Sequence, residues 1–196
     1  MSLFKRLFNS PKPNEASEQA DFDENNLCLD QIFVQKFIEK KGKFLYCSSI
    51  KDVKSNLSKI LTENEWNKLI CNDADLIKLL DPNKIAIESK FTNDQPLFVG
   101  CEHLIAENGS ILFSSNQLKD FKISVLSDSF IVYATTSQLV KNKSESLTGI
   151  NSRYKGNIPS NISAIKDYNP GNETNNFMNY GNTNSKNLYL LLFEDL

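Results

Sequence analysis

A single histidine and four scattered cysteines leave this 196-residue chain poorly supplied for metal chemistry. Zinc and iron–sulfur sites draw most of their ligands from Cys and His, and Cys28, Cys47, Cys71 and Cys101 form no Cys-x-x-Cys pair. They are expected as buried, reduced thiols. No resident cofactor or metal is expected, and any redox chemistry falls to a partner. Long apolar runs are lacking too: the longest, Leu188–Phe193, is far short of the about 18 residues that a membrane span needs. Lys5 and Arg6 are not followed by the apolar stretch and small-residue cleavage site of a secretory signal, so a cytoplasmic location is expected. Charge of one sign is also missing. With 22 Lys and Arg against 24 Asp and Glu, and no basic cluster, the chain carries no electrostatic footprint for nucleic acid. Neither G-x-G-x-x-G nor a Walker loop is present, and no Ser or Cys has the flanking pattern of a hydrolase nucleophile.

What is there is an ordinary globular composition, 40% hydrophobic and 23% charged. Residues 1–26 stand apart: a short Leu3/Phe4/Leu7/Phe8 face, then Pro11 and Pro13, then an acidic run from Glu15 to Glu24. This segment reads as a disordered or loosely docked leader, because two helical turns are marginal alone in water. The competing reading is a docking or membrane-surface segment.

Residues 27–196 read as one α/β domain. Leu29, Ile32, Phe33, Phe37 and Ile38 recur at helical spacing up to Gly42. Phe44–Cys47 reads as a strand, Ser49 as the cap of a helix over Ile50–Leu61, and Leu69–Cys71 as another strand. A helix from Asp73 to before Pro82 and a strand at Ile85–Ile87 complete β-α-β units of a parallel sheet. Cys101–Ala106 and Ser110–Ser114 then flank Glu107-Asn108-Gly109, a strong hairpin signal. Phe130–Thr135 reads as a buried strand, Ser144–Tyr154 as a helix, and Asn161–Ile165 and Leu188–Phe193 as closing strands around a polar loop.

Two clusters are candidates for chemistry. In the first, Glu107 stands at the lip of the hairpin with Asn108 and Gly109, and Ser110, Ser114, Ser115 and Asn116 follow on the return strand. Such a set suits a small anionic ligand, with Glu107 as the candidate catalytic carboxylate. A solvated turn carboxylate and capping serines are the more ordinary reading of the same pattern. The second is Thr135-Thr136-Ser137 at the carboxyl end of a strong strand, where α/β sheets bind ligands and where helix caps also sit. His103 reads as a strand histidine with one hydrogen bond, and Trp66 as a packing anchor.

The segments CEHLIAENGSILFSSNQ, FIVYATTSQLV, NIPSNISAI and KNLYLLLFEDL resemble the LUD-domain family, of the lactate-utilisation protein C type. The resemblance implies a three-layer α/β/α domain with a mostly parallel sheet and an inserted β-hairpin, related to the ribose-phosphate isomerase, glucosamine-phosphate deaminase and CoA-transferase group. It implies a subunit without a cluster of its own, beside iron–sulfur oxidoreductase partners that oxidise lactate to pyruvate. By position, Glu107, Gly109 and Ser110 match the family's turn glutamate, turn glycine and following hydroxyl. Where the family carries an arginine, two acids and a histidine, this chain has KDYNPGNETNNFMNYGNTNS. Ala106-Glu107-Asn108-Gly109 also matches three of four residues of the CoA-transferase nucleophile turn, the alternative in which Glu107 attacks an acyl-CoA. A third reading is an interaction module whose ligand site is lost.

Overall fold

The computed structural model describes residues 28–169 and 185–195. The leader and most of the polar loop lie outside them.

Hydrophobic periodicity builds the elements as their spacing predicts. Helix α1 (Leu29–Glu39) buries Phe33, Val34 and Phe37 along one stripe. Gly42 follows it for reasons of space: a Cβ there would lie 2.4 Å from the Phe37 ring, while Lys41 takes the left-handed conformation (φ 70°). After β1 (Lys43–Cys47), α2 (Ile50–Glu63) is capped by Ser49, whose hydroxyl accepts from the Asp52 N–H at 3.1 Å. Then come β2 (Lys68–Ile70) and α3 (Ala74–Ile77). Asp73 caps α3 as expected, but the helix is one turn long, and the chain tightens into turns at Leu79 and Leu80 before Pro82.

Strands β3 (Ala86–Glu88) and β4 (Leu97–Gly100) follow. The second was not read from the sequence, although Leu97, Phe98 and Val99 are an unbroken buried run of the kind that fills the middle of a parallel sheet. Beyond it lie β5 (His103–Ile105), β6 (Ser110–Phe113), the one-turn α4 (Ser115–Leu118) and β7 (Ser129–Thr135). A 3-10 turn at Thr136–Gln138 leads to β8 (Leu139–Val140), α5 (Lys143–Arg153), β9 (Ser163–Ile165) and β10 (Asn187–Phe193).

The main sheet has the order β1-β10-β7-β4-β2-β3 with every pairing parallel. Alternation along its central strands divides the core. Val132, Leu190 and Leu192 face α1 and a second sheet, whereas Ile131 and Leu191 face α2 and α3. The second sheet, β8-β5-β6-β9, contains the hairpin β5-β6, paired His103↔Leu112 and Ile105↔Ser110. Its outer side packs on α5 through Ile105, Leu112 and Ile150. The α/β/α expectation therefore holds around the main sheet, and the hairpin is part of a separate four-stranded layer. The cysteine expectation needs one correction: Cys47, Cys71 and Cys101 are buried, but Cys28 is exposed, since it caps α1 from outside the apolar stripe.

Candidate functional site

Neighbouring strands β2 and β4 send their chains to opposite faces of the sheet. From β2 the chain enters α3, whose Leu76 joins the α2-side core; from β4 it enters the second sheet on the other side. A parallel sheet opens a crevice at such a divergence, beyond the carboxyl ends of its strands. Here it measures about 610 Å³, with Asn72, Asp73, Phe91, Asn116, Lys119 and Tyr133 among its lining.

One wall is held by a carboxylate that the sequence reading passed over. Glu102, between β4 and β5, is wholly buried, and a buried charge persists only when its oxygens are paired. Oε1 accepts from Ser114 Oγ (2.6 Å), Gln117 Nε2 (3.0 Å) and Asn116 Nδ2 (3.2 Å). Oε2 accepts from Tyr154 OH (3.2 Å) and lies 3.6 Å from Arg153 Nη1. Burial pushes this carboxyl up, but the donors from Ser114, Gln117, Asn116 and Tyr154 outweigh it and hold it below the ordinary range. With one Asn116 amide N–H engaged by Glu102, its carbonyl and second N–H remain as hydrogen-bonding groups at the cleft. Gln138 staples the turn after β7 to the β4–β5 link: its Oε1 accepts from Thr135 N–H, and its Nε2 donates to the Cys101 and Glu102 carbonyls.

Lys119, just after α4, brings a cation to the cleft. Its backbone stands at φ 53°, ψ −134°, a conformation costly for a residue with a Cβ. Its Nζ lies 5.7 Å from the centroid of the Phe91 ring. Across the cleft, one oxygen of Asp73 accepts the Asp75 and Leu76 N–H groups, and Asp75 pairs with Lys78 at 2.7 Å.

The residues of the first sequence cluster fall at opposite ends of the hairpin. Ser114 caps α4 with its hydroxyl on the Asn116 N–H, Asn116 lines the cleft, and the Ser115 N–H donates to the Ser160 carbonyl. The turn lies four residues back along β6, about 13 Å at strand rise. There Glu107 is exposed; its carbonyl accepts from Lys36 Nζ at 3.2 Å and its N–H donates to the Lys141 carbonyl. The Asn108 side chain accepts from the Ser110 N–H, and Lys40 donates to the Asn108 carbonyl. The Gly109 carbonyl accepts from Tyr168 OH at 2.6 Å, while the Ser110 hydroxyl is buried without a partner among the described residues. Glu107–Ser110 and the cleft are thus separate places, because an antiparallel pair carries its turn away from its open end.

At the second cluster, the hydroxyls after β7 hold a carboxylate of the chain itself. Asp195 accepts from Thr136 Oγ1 (2.8 Å), the Ser137 N–H (3.0 Å) and Ser137 Oγ (2.6 Å). Thr135 bonds to Ser137 through its hydroxyl and to Gln138 through its N–H. His103 makes the expected hydrogen bond, Nδ1 to the Gln138 carbonyl at 3.3 Å, and its Nε2 is buried without a partner among the described residues. Among the described residues no three His, Cys, Asp or Glu side chains gather as a metal site.

A family model described as LUD domain matches residues 31–193. No curated protein matches the chain in sequence. Among solved structures, a DUF162-family protein from Deinococcus radiodurans is similar in fold, with a TM-score of 0.61 at 11% identity, over 86% of this chain and 99% of that one.

Proposed function

The chain belongs to the LUD-domain family, which is associated with lactate utilisation, and from that premise we propose that it serves lactate oxidation as a cytoplasmic ligand-binding or assembly subunit without redox chemistry of its own. The iron–sulfur proteins that carry electrons from lactate to an acceptor are its partners in this reading. The observation that carries it is the cleft where β2 and β4 diverge, held in shape by the Glu102 network. Lys119 supplies the charge that a small anion needs there, Asn116 an acceptor for a ligand hydroxyl, and Phe91 an apolar wall.

The thiols support assigning electron transfer to partners. Cluster sites draw most of their ligands from grouped cysteines, and Cys28, Cys47, Cys71 and Cys101 are dispersed with no Cys-x-x-Cys pair. The turn at Glu107 belongs to a different surface, so an acyl-transfer role for Glu107 has no support from the cleft.

Deleting the gene and measuring growth on lactate tests the lactate link; unchanged growth and lactate oxidation remove it. Co-purification with iron–sulfur oxidoreductase subunits is the expected partner result. For the cleft, melting shifts are measured with L-lactate, pyruvate and inorganic phosphate. Lys119→Glu is expected to lower affinity for any anion that binds by about tenfold, one lost charge-assisted contact; equal shifts in the variant place the anion elsewhere.

A further inference from the structure

On the far side of the sheet from α1, the stripe Leu57, Leu61 and Trp66 along and just beyond α2 faces Leu79, Pro82 and Ile85 across a second hollow, a groove of about 680 Å³. It lies beside the residues that precede β2 and β3, at the opposite end of these strands from the cleft, and the functional reading makes no use of it. Trp66 is half-buried there, edge-on to Tyr189 with ring centroids 6.1 Å apart. A long apolar groove beside a helix is the shape that receives a short amphipathic segment.

We propose that the occupant is the chain's own N-terminus: Leu3, Phe4, Leu7 and Phe8 dock in the groove, and the acidic run Glu15–Glu24 lies along the outer face of α2. Three observations on this molecule support that choice. The first is charge. Lys51, Lys54 and Lys59 stand exposed on α2 without a carboxylate partner among the described residues, and Lys54 lines the groove itself. Five acids, Glu15, Glu18, Asp21, Asp23 and Glu24, precede the described chain.

The second is the path. A connection of three residues, Lys40–Gly42, joins α1 to β1, so the two run antiparallel and Cys28 lies near the carboxyl end of β1. Helix α2 begins three residues beyond that same strand end. Its lysines therefore lie between the point where the described chain starts and the groove along the later turns of α2. The third is reach. The stretch from Asn9 to Leu27 extends up to about 60 Å, whereas the sheet is about 24 Å wide at ordinary strand spacing. The tether spans the distance with slack.

Trp66 is the chain's single tryptophan and reads the groove directly. In the full-length protein, Trp66 emission and acrylamide quenching are compared between the parent and the double substitution Phe4→Asp with Leu7→Asp, with far-UV circular dichroism confirming the fold. Expected is a red shift and about twofold stronger quenching in the variant, as apolar cover leaves the indole. The triple substitution K51E/K54E/K59E is expected to raise quenching in the same direction, and high salt to narrow its difference from the parent. Identical emission and quenching in the parent and the Phe4/Leu7 variant overturn the proposal. So does protection of Trp66 that grows with protein concentration, which assigns the groove to a second copy. Release of the segment from the groove only on adding anionic lipid vesicles supports docking in their absence, whereas protection that arises only with vesicles overturns it.

Discussion

Gly109 and Glu102 sit at the two ends of one hairpin, and they differ in how far their reasons for being there extend along the chain. Gly109 closes the turn at φ 62°, and a Cβ added to it would come within 2.7 Å of the backbone of Lys36 and Phe37. Left-handed strain adds to a clash with backbone that cannot swing aside. Gly109→Ala is therefore expected to destabilise the fold by about 2 kcal/mol, read as a lowered midpoint in urea without a change in m-value. The Asn-Gly signal made this turn legible in the sequence. The packing on α1 was not, because Lys36 and Phe37 stand more than 70 positions earlier. Glu102 was illegible for the same reason: its Tyr154 partner is 52 positions away. A carboxylate between Cys101 and His103 on an apolar strand was the available clue, since such a charge must find donors.

Between elements, the end of β10 is tied to the turn after β7 by one carboxylate. Burial pushes the Asp195 carboxyl up, but the hydroxyls of Ser137, Thr136 and Thr135 and the Ser137 N–H prevail and bring it down to about 2. A carboxylate with a depressed folded value binds fewer protons folded than unfolded, so its contribution is complete above the ordinary value of 3.8 and is lost as pH falls toward about 2. Asp195→Asn is expected to lower stability at neutral pH and to flatten the acid side of the stability profile between pH 4 and 2.5, measured by urea unfolding at each pH. Thr135-Thr136-Ser137 was legible as a place for an anion beyond a strand end; that the anion is Asp195 depends on β10 running parallel beside β7. The short α3 and the missed β4 carry the same lesson. A run of four apolar residues has no periodicity of its own, and the sheet around Leu97–Gly100 decides that it is a strand.

Across the whole molecule, topology decides which polar residues meet. Glu107 and Asn116 are nine positions apart in one motif, yet one sits by α1 and the other lines the cleft. If the cleft is the ligand site, Glu107→Ala leaves every melting shift produced by L-lactate, pyruvate or phosphate unchanged, while Asn116→Ala and Lys119→Glu reduce them. Loss of the shift in Glu107→Ala alone would move the site to the hairpin turn.

The amino-acid order by itself determined most elements, the parallel β-α-β construction, the hairpin and the family, because periodicity, caps and Asn-Gly turns act over a few neighbouring residues. Only the tertiary structure decided where the candidate cleft lies. It exists because β2 and β4, separated by β3 in the chain, become neighbours that diverge to opposite faces. Its walls are held by Glu102, which is stable in the core only after donors from Ser114, Gln117 and Tyr154 have been brought to it.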